Sequence, residues 1–158
     1  MPEEKILLAH GSRGKLSHDL IKQIFLPRFL NPFLEPLDDS AKITNRKGPI
    51  AFTTDSYVVN PIFFPGGDIG KLAVCGTVND LSMIGAVPSY LSLSMIVEEG
   101  FPIELLKQIV SSIHKAAEQA GVYIVTEIPK WWNMGQQIIF LLIPLESDGS
   151  GQGSTSQG

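Results

Sequence analysis

The sequence of 158 residues holds a single cysteine, Cys75. One thiol makes no internal disulfide and no cysteine cluster for zinc. Cys75 falls in a helical pattern and reads as a small buried hydrophobe rather than a nucleophile. Basic runs are missing too. Twelve Lys and Arg stand against 16 Asp and Glu, for a formal net charge of -4, and no basic run exceeds a pair such as Arg46-Lys47. That balance disfavours RNA or DNA as the main partner. No apolar run reaches the length of a membrane span; Ile138 to Ile143 is far too short. The opening MPEEKILLAHGS is mainly negative and its apolar run stops after four residues, which is not a signal-peptide pattern. The expected location is the cytoplasm, with no membrane partner.

What is present suits one folded domain. The apolar content is 44%, enough to bury a core at this length without staples. The chain is organised around Phe52 to Ile96, where Asp55, Asp68 and Asp80 each mark a change of pattern. Asp55 ends a β-prone run over Pro49 to Thr54. Asp68 follows Pro65-Gly66-Gly67 and opens a helix from about Ile69 to Ile84. Asp80 lies past the middle of that helix, near a face of small residues, Ala73, Gly76, Thr77 and Gly85, that lets another segment approach closely. Two readings stand side by side. Separated carboxylates can converge on a hard cation such as magnesium, which in turn suits a nucleotide phosphate. Alternatively, Asp68 is a helix N-cap and Asp55 opens a turn. The helix is apolar around much of its circumference, so burial on several sides is expected, and Asn79 and Asp80 within it would need partners.

The remaining pattern is mixed α and β. Lys5 to Ala9 reads as an extended segment, followed by the loop His10-Gly11-Ser12-Arg13-Gly14-Lys15. That loop is either a flexible turn or a phosphate cradle of backbone N–H groups. Ser17 is a candidate N-cap for a helix over His18 to Leu26, closed or kinked by Pro27. Ala41 to Thr44 and Pro49 to Thr54 read as strands joined by a turn at Asn45-Arg46-Lys47-Gly48. Val58 to Gly67 reads as a loop. Pro88 to Val97 is the clearest strand, with Leu91, Leu93, Met95 and Val97 toward the core and Tyr90, Ser92, Ser94 and Ile96 toward an association surface. A helix from Pro102 to about Ala120 carries the stripe Ile103, Leu106, Ile109, Val110, Ile113, Ala117 and Ala120 and ends at Gly121. Val122 to Thr126 is a strand. The expected organisation is a domain over residues 1–126, a divergent segment over 127–146 that adds one strand, and a disordered polar tail over 147–158.

The joined motifs AHGSRGKLSHDLI, FTTDSYVVNPIFFPGGDIGKLAVCGTVNDLSMIGAVPSYLSLSMIVEEGFP and AGVYIVT closely resemble the N-terminal domain of the HypE hydrogenase expression/formation family. That family belongs to the PurM-like group with aminoimidazole ribonucleotide synthetase. The resemblance implies a PurM-like α/β (α+β) domain: a mixed sheet covered by helices, forming a barrel-like sheet across a dimer interface. It implies ATP and magnesium as cofactors. The implied activity is dehydration of a carbamoyl group, carried on a C-terminal cysteine, to the cyanide ligand of nickel–iron hydrogenase. The implied partners are a second copy, the maturation carbamoyltransferase, and the iron-scaffold and chaperone proteins. Mapped onto this sequence, Asp55 and Asp80 are the metal residues. Gly11, Ser12, Gly14, Lys15, Asp68 and Lys71 join them around the nucleotide, and no catalytic residue is assigned.

Departures qualify the match. Arg13 stands where family members often have glycine, which restricts the loop. After IVT the family continues with glycine, aspartate, threonine and lysine, whereas this chain reads Glu127, Ile128, Pro129 and Lys130. The second domain and the C-terminal cysteine are not in the sequence. The ending reads as a truncation, a frameshifted tail or an engineered fragment, and the isolated chain is not expected to complete the reaction. A non-catalytic dimerisation or docking domain is the competing reading.

Overall fold

In the computed structural model, the structure describes residues 4–11, 14–34, 41–43, 51–132 and 137–143. Four strands make the main sheet: β1 (Thr53–Tyr57), β4 (Tyr90–Glu98), β5 (Tyr123–Trp132) and β6 (Gln137–Ile143), in the order β1-β6-β4-β5. Two short strands, β2 (Phe63–Phe64) and β3 (Gly67–Asp68), form a separate hairpin inside the stretch expected to be a loop. β6 is antiparallel to both β1 and β4, while β4 and β5 are parallel. The sheet is therefore mixed. Parallel neighbours need a crossover, and the helix α4 (Ile103–Ala120) supplies it between β4 and β5.

The expected barrel-like sheet is not what forms. The sheet is open, with β1 paired only to β6 and β5 only to β4 among the described residues. Its edges, β1 and β5, lie at opposite ends of the strand order, so the sheet is neither closed nor curled into a barrel. The expected α/β arrangement of a mixed sheet with covering helices does form.

The core lies between the sheet and two helices, α3 (Ile69–Met83) and α4. Along β4 burial alternates, with Leu91, Leu93, Met95 and Val97 buried against Leu106, Ile109 and Ile113 of α4 and Ile69, Ala73 and Val74 of α3. Gly70 lets the two helices meet closely: a Cβ there would lie 2.8 Å from both the Ile109 carbonyl oxygen and Ile113 Cγ1. α4 ends as its sequence predicts, on Gly121 in the left-handed region at φ 69°, where a Cβ would be strained. Pro102 is its N-cap rather than its first turn, and Ala120 is exposed.

Helical residues run without a break from Lys15 to Phe29: α1 (Lys15–Leu20), a π turn (Ile21–Phe25) and α2 (Leu26–Phe29). Gly14, not Ser17, is the N-cap, and Ser17 is buried. The π turn sits just before Pro27, whose ring and missing N–H disturb the regular ladder. Asn31 then ties this segment to the sheet, donating from Nδ2 to the carbonyls of Phe29 and Ile124, both at 2.8 Å. Ala41–Ile43 has no assigned element, and the expected turn at residues 45–48 lies outside the described residues. Among the described residues no helix is long and apolar enough to cross a membrane.

Candidate functional site

β1 runs over Thr53–Tyr57 rather than the expected Pro49 to Thr54, so Asp55 sits inside the strand, opposite Phe140 of β6, and not at its end. Side chains alternate along a strand, and Thr53, Asp55 and Tyr57 share the more buried face while Thr54 and Ser56 are exposed. That face meets α3. The Tyr57 hydroxyl lies 3.2 Å from Thr77 Oγ1. Thr77 is fully buried and donates its own proton to the Ala73 carbonyl at 2.9 Å. A threonine hydroxyl has one proton, so Tyr57 is the donor to Thr77. The ring needs Gly76: a Cβ there would stand 2.3 Å from the Tyr57 oxygen. The small-residue face of α3 thus receives a side chain from β1.

Asp80 follows Gly76 by four positions and Thr77 by three, which places it on the same face of α3. Its charge and that of Asp55 both reach Tyr57. The phenol is held above its ordinary range, first by burial, with the Thr77 hydrogen bond opposing and the two carboxylates adding. Tyr57 thus feels both carboxylates, Asp55 from its own strand and Asp80 from the helix that it meets. Asp55 Oδ2 is buried with no hydrogen-bond partner among the described residues. An orphaned carboxylate oxygen is rare because its desolvation is not repaid. A cation or a donor from outside this chain segment fits it. Asp80 is exposed, as are Asn79, Cys75 and Leu72. The expectation that α3 is buried on several sides, with Asn79 and Asp80 inside and Cys75 a core residue, is corrected here. Only Ile69, Gly70, Ala73, Val74, Thr77 and Leu81 are buried, because one face packs on β1 and α4 and the other meets solvent.

Asp68 belongs to a second group. It is the N-cap of α3, accepting at Oδ1 from Gly70 N at 2.7 Å and Lys71 N at 3.1 Å. Lys71 Nζ is exposed and donates to the Gly66 carbonyl at 3.0 Å. Twelve helical steps separate Asp68 from Asp80, about 18 Å at 1.5 Å per residue, so the two cannot bind the same ion. Gly11 ends a 3-10 turn (Leu8–Gly11), and Gly14 and Lys15 open α1. Among the described residues α1 packs chiefly on that turn and on the π turn. Ser12 lies outside the described residues. Tyr57 is the member of the site that the sequence left unnoticed. Its signal was present: an aromatic two residues from Asp55, on the same strand face.

The N-terminal-domain model of the AIR synthase related proteins matches residues 37–126. The chain belongs to this family. Asp55, Tyr57, Thr77 and Asp80 all fall within the AIR synthase related region. The chain is 48% identical over 126 residues to the carbamoyl dehydratase HypE of Escherichia coli K12, an alignment covering 77% of this chain and 38% of that protein. It is similar to a HypE crystallised in complex with ATP, with a TM-score of 0.84 and 49% identity over 90% of this chain and 44% of the other. It also resembles the HypE of a HypE–HypF complex, with a TM-score of 0.60 and 47% identity over 81% of this chain and 43% of the other. The chain is thus homologous to HypE, a hydrogenase maturation protein, over the N-terminal domain. It spans less than half the length of those relatives.

Proposed function

We propose that this chain is the nucleotide-binding part of a HypE-type protein, serving the ATP-dependent dehydration of a carbamoyl group to the cyanide ligand of nickel–iron hydrogenase. Asp55 and Asp80 are the ligands of one magnesium ion, and Gly11, Ser12, Gly14, Lys15, Asp68 and Lys71 contribute around the nucleotide. The observation that carries this reading is the buried, unsatisfied Asp55 Oδ2 on a strand that packs against α3, the helix carrying Asp80. Oxygen donors suit magnesium, which characteristically takes one or two carboxylates together with waters and phosphate oxygens. Two carboxylates are therefore an adequate protein contribution, and among the described residues no larger His, Cys, Asp or Glu group forms. When bound, the ion supplies charge neutralisation at the phosphates. Asp55 fixes the inner, water-poor side of the site and exposed Asp80 the outer side. A relative crystallised with ATP supports the assignment.

Titration calorimetry with ATP, with and without magnesium, tests it. The expected result is magnesium-dependent binding that disappears in both Asp55→Asn and Asp80→Asn. No heat at saturating ATP, or heat indifferent to magnesium, overturns it.

A second reading is a homodimerising or docking domain that does no chemistry itself, with a HypF-type carbamoyltransferase and the iron-scaffold proteins as partners. It draws on Met83, Ile84 and Val87, which are 76%, 69% and 62% exposed around the end of α3, and on the relative solved with HypF. A dimer in light scattering that ignores magnesium and ATP favours this reading; a monomer at every concentration removes its homodimeric form.

A further inference from the structure

We infer that Tyr57 is a positioning residue for the cation site: its hydroxyl, seated on Gly76 and donating to Thr77, fixes β1 against α3 so that Asp55 and Asp80 hold one magnesium–nucleotide between them. The inference rests on the proposed function and deepens it.

Asp55 and Asp80 lie on different elements, β1 and α3. Something must set the gap between them, since magnesium tolerates little deviation from octahedral geometry at about 2.1 Å. Tyr57 spans that gap. It shares a strand face with Asp55. Its oxygen reaches Thr77 at 3.2 Å, one helical turn before Asp80. The fit has two stops. Thr77 is fully buried and its proton is committed to Ala73, so its oxygen can only accept from Tyr57. Gly76 leaves the ring no spare room, with 2.3 Å between a notional Cβ and the hydroxyl. Sliding β1 along α3 breaks the hydrogen bond in one direction or drives the ring into the helix in the other.

The same geometry argues against Tyr57 as a general acid. Its proton points into α3, toward Thr77, and not outward to a phosphate or carbamoyl group. Tyr57 therefore acts through Asp55 and Asp80, not on substrate.

The test is titration calorimetry of the whole chain with ATP, with and without magnesium, on Tyr57→Phe, Thr77→Val and Thr77→Ser. Tyr57→Phe keeps the ring and removes only the hydroxyl; Thr77→Ser keeps the acceptor. The expected result is a magnesium-dependent gain in ATP affinity that falls about 5-fold to 10-fold in Tyr57→Phe and Thr77→Val, the scale of one hydrogen bond, and is restored in Thr77→Ser. Affinity for ATP without magnesium stays at the wild-type level. A merely structural hydroxyl would lower the melting temperature without changing the magnesium-dependent gain, and that outcome overturns the inference alone. Equal losses with and without magnesium also overturn it. A wild-type chain that gains nothing from magnesium removes the proposed function and this inference together.

Discussion

Asp55 places one oxygen inside the protein without a partner among the described residues, and that has a consequence before any ligand binds. A charged oxygen kept from water without a hydrogen bond costs about 1–3 kcal/mol. Replacing the charge should relieve part of it. Asp55→Asn is expected to raise the melting temperature of the ligand-free chain by a few degrees, about 1 kcal/mol, while removing any stabilisation by magnesium and ATP. Thermal melts of both proteins, with and without magnesium–ATP, read this directly; an Asn variant that melts well below wild type would show that Oδ2 has a donor of its own. Tyr57 adds a pH dependence. Its folded-state ionisation lies above its unfolded value near 10. The folded state thus holds the phenolic proton more tightly, and the resulting stability is full below pH 10 and lost as pH rises through the folded value. The stability difference between wild type and Tyr57→Phe should shrink above pH 10 in denaturant titrations and stay constant from pH 7 to 9. At this scale the sequence was only partly legible. The two acidic residues stood out by type and spacing. Their mediator did not, because a tyrosine in a β-prone run carries no sign of what it touches until the helix it meets is known.

At the scale of elements, legibility followed how local the cause is. Asp68 announced itself: an acid after Gly66-Gly67 and before an apolar run is an N-cap pattern, and its carboxylate does bond Gly70 N and Lys71 N. The alternation of β4 fixed its core face in the same way, because period two admits only one choice of face once Leu91, Leu93, Met95 and Val97 line up. α3 misled for the opposite reason. Its apolar residues run nearly all round, and periodicity cannot tell which face a neighbour covers. The structure leaves Leu72, Met83 and Ile84 exposed. The strand bounds of β1 depended on a partner far along the chain, β6, and so Asp55 was placed at its end rather than its interior. The cap gives a test that separates structure from binding. Asp68→Ala should lose about 1 kcal/mol of stability, and Asp68→Asn only a few tenths, since asparagine caps nearly as well. Chemical denaturation measures both. If Asp68→Asn falls as far as Asp68→Ala, the carboxylate has a role that the N-cap does not explain.

For the whole molecule the decisive element is the last one described. β6 lies between β1 and β4 and pairs antiparallel with both, Thr53 with Leu142 at one side and Leu93 with Phe140 at the other. Without it β1 has no strand neighbour among the described residues, and β4 keeps only β5. The face of β1 that carries Asp55 and Tyr57 is then held against α3 by side chains alone. This overrides the intuition that a segment whose sequence departs from family expectation after Thr126 is peripheral. Strand pairing is set by backbone hydrogen bonds, so a divergent sequence can still occupy the middle of a sheet. Removing residues 137–158 should therefore do more than trim an end. The shortened chain is expected to lose its cooperative thermal transition, bind a hydrophobic dye as loosely packed states do, and lose the magnesium-dependent binding of ATP. Removing only residues 147–158 should leave the melt and the binding as they are. If the shorter chain still melts cooperatively and binds, β1 is anchored to α3 strongly enough to stand without its strand partner, and the Tyr57–Gly76–Thr77 contact becomes the main tie between the two carboxylates.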